Sequence, residues 1–397
     1  EFAQLGDNAN RDKDFALGGD IDLSDTGTAW TGPDGYIGHF YGNGYTIKGL
    51  MLDGSTQSVG LFRTLGDGAI VENFTLEVST FNDQPVTVSH ALFIGGLLGS
   101  ISNANGSMTI KGVTVKGDIK IGVKTTATTL EVGGLIGELS QFKEILIENC
   151  VSELNITADL GDAPKSYSAF GGFMGKEWNS GGQCKLTIRN SYATGNINVT
   201  GNFSSTNTNN HVFAGGFIGD ECSNTTNTEI LIEQCYAAGN ISIASLPETT
   251  VHSNYMRGTG GFIGMIWKQG SGTNNVTIKN SAAVGSSVIL NPLSGGHATV
   301  TDSSRFAGYA LNTYNIVTFE NNIANSGMLV GDGTSTHSDD STDAQGTTKW
   351  GRGVANTTAG LKNSTTWTTA APTGLGWSAD TWDFSTVPSL GRPLLKK

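Results

Sequence analysis

Thr187-Ile188-Arg189-Asn190, Leu231-Ile232-Glu233-Gln234 and Thr277-Ile278-Lys279-Asn280 are copies of one four-residue frame. Upstream it reads Thr46-Ile47-Lys48-Gly49, Ile70-Val71-Glu72-Asn73, Thr109-Ile110-Lys111-Gly112 and Leu146-Ile147-Glu148-Asn149; downstream it reads Thr318-Phe319-Glu320-Asn321. The third position runs Lys, Glu, Lys, Glu, Arg, Glu, Lys, Glu. Parallel strands stack about 4.8 Å apart, so alternation gives each charge opposite neighbours above and below. The pattern predicts an all-β solenoid in which every copy is one rung.

The frame ends at residues 49, 73, 112, 149, 190, 234, 280 and 321. The shortest step has room for about three strands of five residues and three short turns. The chain therefore reads as a parallel β-helix of about eight three-sided coils, near 40 Å long at about 4.8 Å per rung. One side carries a Gly-Gly motif, as in Val132-Gly-Gly-Leu-Ile-Gly137, Phe170-Gly-Gly-Phe-Met-Gly175 and Ala214-Gly-Gly-Phe-Ile-Gly219. The charged frame is the second side. Its alternation puts Leu186 and Ile188 inside, Thr187 and Arg189 outside, and Asn190 inside at a corner, where stacked amides would form a ladder. The third side is typified by Tyr192-Ala-Thr-Gly-Asn-Ile197. Short loops join the first two sides. Longer polar ones (81–91, 122–130, 159–168, 201–211, 245–258 and 291–304) lead back to the Gly-Gly motif, and each set is expected to stack into a continuous surface.

The ends break the pattern. Residues 1–330 read as the solenoid with a short N-terminal covering helix over Glu1 to about Asn8. Residues 331–397 read as a polar excursion followed by a cap on the solenoid end, supplied by Trp377, Trp382, Phe384, Leu390 and Leu394. Solenoids need caps because an open end strand pairs with other chains.

Composition agrees with an all-β chain rich in turns: 56 glycines, 8 prolines and 15% charged residues. A net charge of −12 argues against nucleic acid or an anionic membrane as partner. The opening residues lack a leader pattern, which fits a mature form or a cytosolic protein. The four cysteines have no zinc spacing. Cys150 and Cys235 stand two rungs apart, too far for a disulfide, whereas Cys184 and Cys222 fall in matching loops and are the one pair within reach.

Candidate chemistry clusters after the Gly-Gly motifs, at Glu138, Glu177, Asp220 and Glu221. Trp178 and Trp267 follow their motifs at one common offset. Exposed indoles stack on sugar C–H faces and carboxylates orient hydroxyls, so Trp178, Trp267, Glu177 and Glu221 form a candidate glycan site. The competing reading folds both tryptophans over the strand edge, since tryptophan is usually well buried. His90, His211, His252 and His297 sit in long loops without metal spacing and read as solvated. Asp20, Asp22 and Asp25 lack the glycine and distal glutamate of a calcium loop. Hence no metal, cofactor or catalytic residue is expected. The charge ladder itself reads as structural.

The closest repeats, Gly171-Gly-Phe-Met-Gly175 with Ile188-Arg-Asn-Ser-Tyr-Ala-Thr-Gly-Asn-Ile197 and Gly215-Gly-Phe-Ile-Gly219 with Ile232-Glu-Gln-Cys-Tyr-Ala-Ala-Gly-Asn-Ile241, resemble those of GLUG-repeat proteins of bacterial surfaces. The lead-in Asp20-Ile-Asp-Leu-Ser24 and Phe40-Tyr-Gly-Asn-Gly-Tyr-Thr-Ile-Lys-Gly-Leu50 is also similar to theirs, and the likeness covers about residues 15–330. The resemblance implies a right-handed parallel β-helix on a secreted or surface-anchored, adhesin-like protein. It transfers no catalytic residues, and the long loops depart from the family pattern. The resulting expectation is a monomeric, non-catalytic extracellular binder of a glycan or host surface protein. A polysaccharide-processing enzyme with clustered acids on adjacent rungs is the alternative; a passive surface stalk is another.

Overall fold

The computed structural model describes residues 2–82, 91–101, 105–122, 129–161, 167–178, 183–201, 211–223, 228–245, 256–268, 274–291, 300–310, 316–331 and 354–396. The architecture is a parallel β-solenoid. Two seven-stranded sheets and one sheet of 21 strands run along the stack. Among the described residues the only antiparallel pair is Trp382–Asp383 with Leu394–Leu395.

The charged frame lies in the long sheet. Ile110, Ile147, Ile188, Ile232 and Ile278 are successive register partners, each at most 1% exposed. Burying each such side chain contributes about 1.5–3 kcal/mol. Their outward neighbours Glu72, Lys111, Glu148, Arg189, Glu233, Lys279 and Glu320 form an unbroken alternating column. Lys48 does not belong to it. Thr46–Asp53 pairs Ile47 with Leu76, in the strand position after the corner, and Lys48 meets Asp22 at 3.5 Å. The strand beside Glu72 in that column is instead His39-Phe40-Tyr41, where Tyr41 partners Glu72 and His39 Nε2 lies 3.1 Å from Glu72 Oε1. Ile47-Lys48-Gly49 and Ile110-Lys111-Gly112 share one spelling on different rungs and at different strand positions, so spelling alone misplaces the register.

The corner after the frame explains its last letter. Asn73, Asn149, Asn190, Gln234, Asn280 and Asn321 have φ between 50° and 59°, and Gly112 has φ 64°. Asn and Gly tolerate this left-handed conformation best. The expected amide ladder appears between Asn280 and Asn321, whose Nδ2 donates to Asn280 Oδ1 at 2.7 Å. One residue on, Cys150, Ser191, Cys235 and Ser281 fill a buried column, with Ser191 Oγ accepting from Cys150 N and Ser281 Oγ from Cys235 N. All four cysteines are free thiols. Cys184 pairs with Thr228 in the long sheet, whereas Cys222 pairs with Trp267 in a different sheet, so the Cys184–Cys222 disulfide is not formed.

The Gly-Gly motif is a bend, not the middle of one side. Tyr167–Gly171 belongs to one seven-stranded sheet and Met174–Trp178 to the other. The glycines permit close approach of the two layers. A Cβ on Gly137 would lie 2.6 Å from Ile94 N, and one on Gly216 would lie 2.2 Å from Gly261 O and 2.9 Å from Ala237 Cβ. Each rung therefore folds its first side into a tight arch whose tip presses against the strand after the corner. The expected third side is present, and the arch adds a fourth strand to the coil.

Phe2–Gly6 forms a 3-10 helix at the N-terminal end, with Leu5 buried and Phe2 stacked 4.9 Å from Trp30. At the other end Val354–Asn356 pairs with Ile323–Asn325. The rest of the C-terminal segment turns back along the flank. Trp367, Trp377 and Trp382 pack on Val151, Tyr192, Tyr236, Ala282 and Ile323, which are register partners on five successive rungs. Tyr236 OH donates to Pro393 O, and Trp377 Nε1 to Asn280 O. The polar stretch 332–353 lies outside the described residues.

Candidate functional site: the mouth of the arch

Because the arch doubles back, the start of one strand meets the end of the next. Lys176 Nζ stands 3.2 Å from Glu131 Oε1 and 4.0 Å from the centre of the Tyr167 ring. Tyr167 OH donates to Asp220 Oδ2. Two rungs earlier, Ser58 and Ser100 hold the equivalent positions and their hydroxyls meet at 2.7 Å. Alternation explains this polar lining. Lys176 and Trp178 point into the arch, while Glu177 between them points to the opposite face. Glu138, Lys176 and Asp220 form one column along the arch interior.

The floor is charged and dry. Glu131 is 2% exposed, Glu138 4%, Lys176 8% and Asp220 0%. Burial raises the Glu131 pKa, with the Lys176 charge opposing it. Burial, then the charge of Glu131, lifts Glu138 well above the usual carboxylate range. Asp220 is pushed up to about 7 by burial, against the pull of Lys176 and the Tyr167 hydrogen bond. Burial alone would lower Lys176; the charges of Glu131 and Asp220 outweigh it and hold the ammonium above its ordinary pKa.

Above this floor sits an aromatic rim. Tyr167, His211, Trp178 and Trp267 are all half-buried. His211 lies 6.3 Å from Tyr167 and 6.5 Å from Trp267, ring centre to ring centre. Lys176 Nζ lies 5.4 Å from the Trp178 ring. Burial, then the Lys176 charge, lowers the His211 pKa, so the imidazole is neutral at pH 7. Trp178 and Trp267 stand in one column with Cys222, as their common offset predicted.

Glu177 and Glu221 are not surface acceptors. They are 0% and 2% exposed and occupy the column that Leu139 and Ile266 fill with hydrocarbon. Burial, then the charge of Asp220, pushes Glu177 up to about 8. Their place after the Gly-Gly motif suggests a turn, but the strand runs on through Trp178. Glu131, Lys176 and Tyr167 are not picked out by the motif spacing, although a charge inside an apolar run such as Leu130-Glu131-Val132 is itself a signal of a polar second face.

Among the described residues no group of His, Cys, Asp and Glu could hold a metal ion. Asp20 accepts from Thr46 N and Asp22 from Ser24 N, so both serve turns. His90, His252 and His297 lie outside the described residues, while His211 is part of the rim rather than a solvated loop residue. No helix among the described residues is long and apolar enough to cross a membrane.

No family model and no solved structure matches the chain. It is similar to halomucin of Haloquadratum walsbyi (strain DSM 16790 / HBSQ001), 32% identical over 139 residues, which is 32% of this chain and 1% of that protein. The chain thus spans a very small part of the curated relative it matches.

Proposed function

We propose that this chain is a non-catalytic, adhesin-like β-helix, right-handed and of about eight rungs, that works at a bacterial surface or outside the cell. Its ligand is a glycan or a glycan-bearing host surface protein, held at the arch mouth. The observation that carries this reading is that the strand ends flanking both loop sets lie along one edge. The long segments re-enter the stack at Ala91, Thr129, Tyr167 and His211, which are successive register partners. The short ones leave it beside Ser140, Trp178, Cys222 and Trp267. Tyr167, His211, Trp178 and Trp267 fill the space between. Neutral half-buried rings stack on sugar C–H groups. The resemblance to GLUG-repeat surface proteins supports the adhesin-like setting, and the similarity to halomucin supports a surface or secreted location.

A polysaccharide-processing enzyme is less well supported, because the acids with raised pKa values are at most 4% exposed and out of a polymer's reach. The test is a screen of labelled protein against arrayed glycans and host glycoproteins. Saturable binding without cleavage supports the proposal. Depolymerisation of a bound polysaccharide would favour the enzyme, and no binding across both arrays would favour a stalk.

A further inference from the structure

We propose that Lys176 and Glu131 join in an intramolecular amide bond between Lys176 Nζ and Glu131 Cδ, a covalent staple across the arch. The inference is independent of what the mouth binds. Three features carry it. The amine and the carboxyl oxygen are in contact at 3.2 Å, and both side chains are almost fully buried. The Glu131 carboxyl is also hydrogen-bonded to the Glu138 carboxyl. A second carboxyl, Glu138, is one rung from Lys176 in the same column. Tyr167 and Trp178 cover the amine from above, so water is scarce where water is the product.

The step balances without any co-reactant. Inside the existing hydrogen bond, Lys176 passes a proton to the Glu131 carboxylate, leaving an amine beside a carboxylic acid. The surrounding carboxylates keep Lys176 charged at rest, so the neutral pair is a minor state reached along the hydrogen bond, and burial of Glu131 favours its protonated form. The Nζ lone pair attacks Cδ, and a tetrahedral centre forms. Glu138, held protonated beside the Glu131 charge, donates its proton to the departing hydroxyl. The Cδ–O bond breaks, one water leaves, and Glu138 recovers a proton from nitrogen. Proximity supplies the acceleration: two groups fixed in contact react as one molecule rather than two. The staple would tie neighbouring rungs and both arch layers together, in a chain whose cysteines are all free thiols.

The experiment is the intact mass of the purified full chain after folding and incubation at neutral pH, followed by peptide mapping. The expected mass is one water below that of the sequence, with the Glu131 and Lys176 peptides recovered as one linked species. Cyclisation of Glu1 also removes one water, so the map decides between them. Lys176→Arg should restore the unlinked Glu131 peptide, and folded Glu138→Gln should carry little or no link. Separate wild-type peptides for Glu131 and Lys176 would overturn the proposal, as would a link from Lys176 to Asp220. The decisive reading is on the wild-type chain, so it does not depend on any variant folding.

Discussion

Arg189 Nε lies 2.7 Å from Glu148 Oε1, and the two residues are direct register partners on adjacent rungs. Glu148 is held from the other side by Lys111 at 3.2 Å, and its side chain is only 13% exposed. Lys279 and Glu233 repeat the contact at 3.2 Å. A parallel start, Glu144 with Lys185 at 3.2 Å, runs along the outer edge of the same face. The sheet therefore wears its charges in rows that favour the observed register and oppose a slip of one rung.

Arg189→Glu should place three acids in succession, at 148, 189 and 233. Arg189 is 42% exposed, so screening limits the cost to about 1–2 kcal/mol. A urea midpoint equal to that of wild type would show that the column contributes nothing to stability.

The native Glu177 holds its proton up to about pH 8, while an unfolded glutamate releases it near 4.5. Between those values the unfolded state binds fewer protons, so this residue's contribution is complete below pH 4.5 and is lost as pH rises to about 8. Glu177→Gln removes the titrating group. The variant should gain on wild type steadily across that window in paired denaturant titrations. A constant difference would contradict the buried, protonated carboxyl.

The arch rests on absent side chains. Gly216→Ala should cost about 2–3 kcal/mol or more, because its Cβ meets backbone of the next rung rather than a side chain that can move. Gly18→Ala, with nothing within 4 Å, should be nearly neutral. Thermal melts of both variants check this, and equal midpoints would argue against the tight bend.

Trp367 is fully buried against Tyr236 and Trp377, at ring separations of 6.1 and 4.9 Å. Trp367→Ala should destabilise by about 3–5 kcal/mol and expose the tyrosine column to solvent. Unchanged stability would mean that the C-terminal segment is dispensable to the stack.

Much of the solenoid was legible because parallel stacking writes itself into sequence: the charge column from Glu72 to Glu320 and the isoleucine column beneath it follow from period two and a repeat. The failures share one cause, since sequence shows spelling and not which strand position it occupies. Thr46-Ile47-Lys48-Gly49 matched the frame yet belongs after the corner. The Gly-Gly motif read as a flat side, because a glycine needed for close layer contact spells the same as one in an extended strand. Once the motif bends, the next strand continues through Trp178, and Glu177 and Glu221 turn inward. The flank covering was hidden because Tyr192 and Tyr236 gave no sign that distant tryptophans would lie over them.

The most direct test of the binding account is the affinity of the best array ligand for the Trp178→Ala/Trp267→Ala double variant, measured by titration calorimetry beside a thermal melt. Loss of two stacking rings at about 1 kcal/mol each should weaken binding roughly tenfold or more, with the fold intact. Affinity equal to that of wild type in a folded double variant would contradict the assignment of the arch mouth as the binding surface.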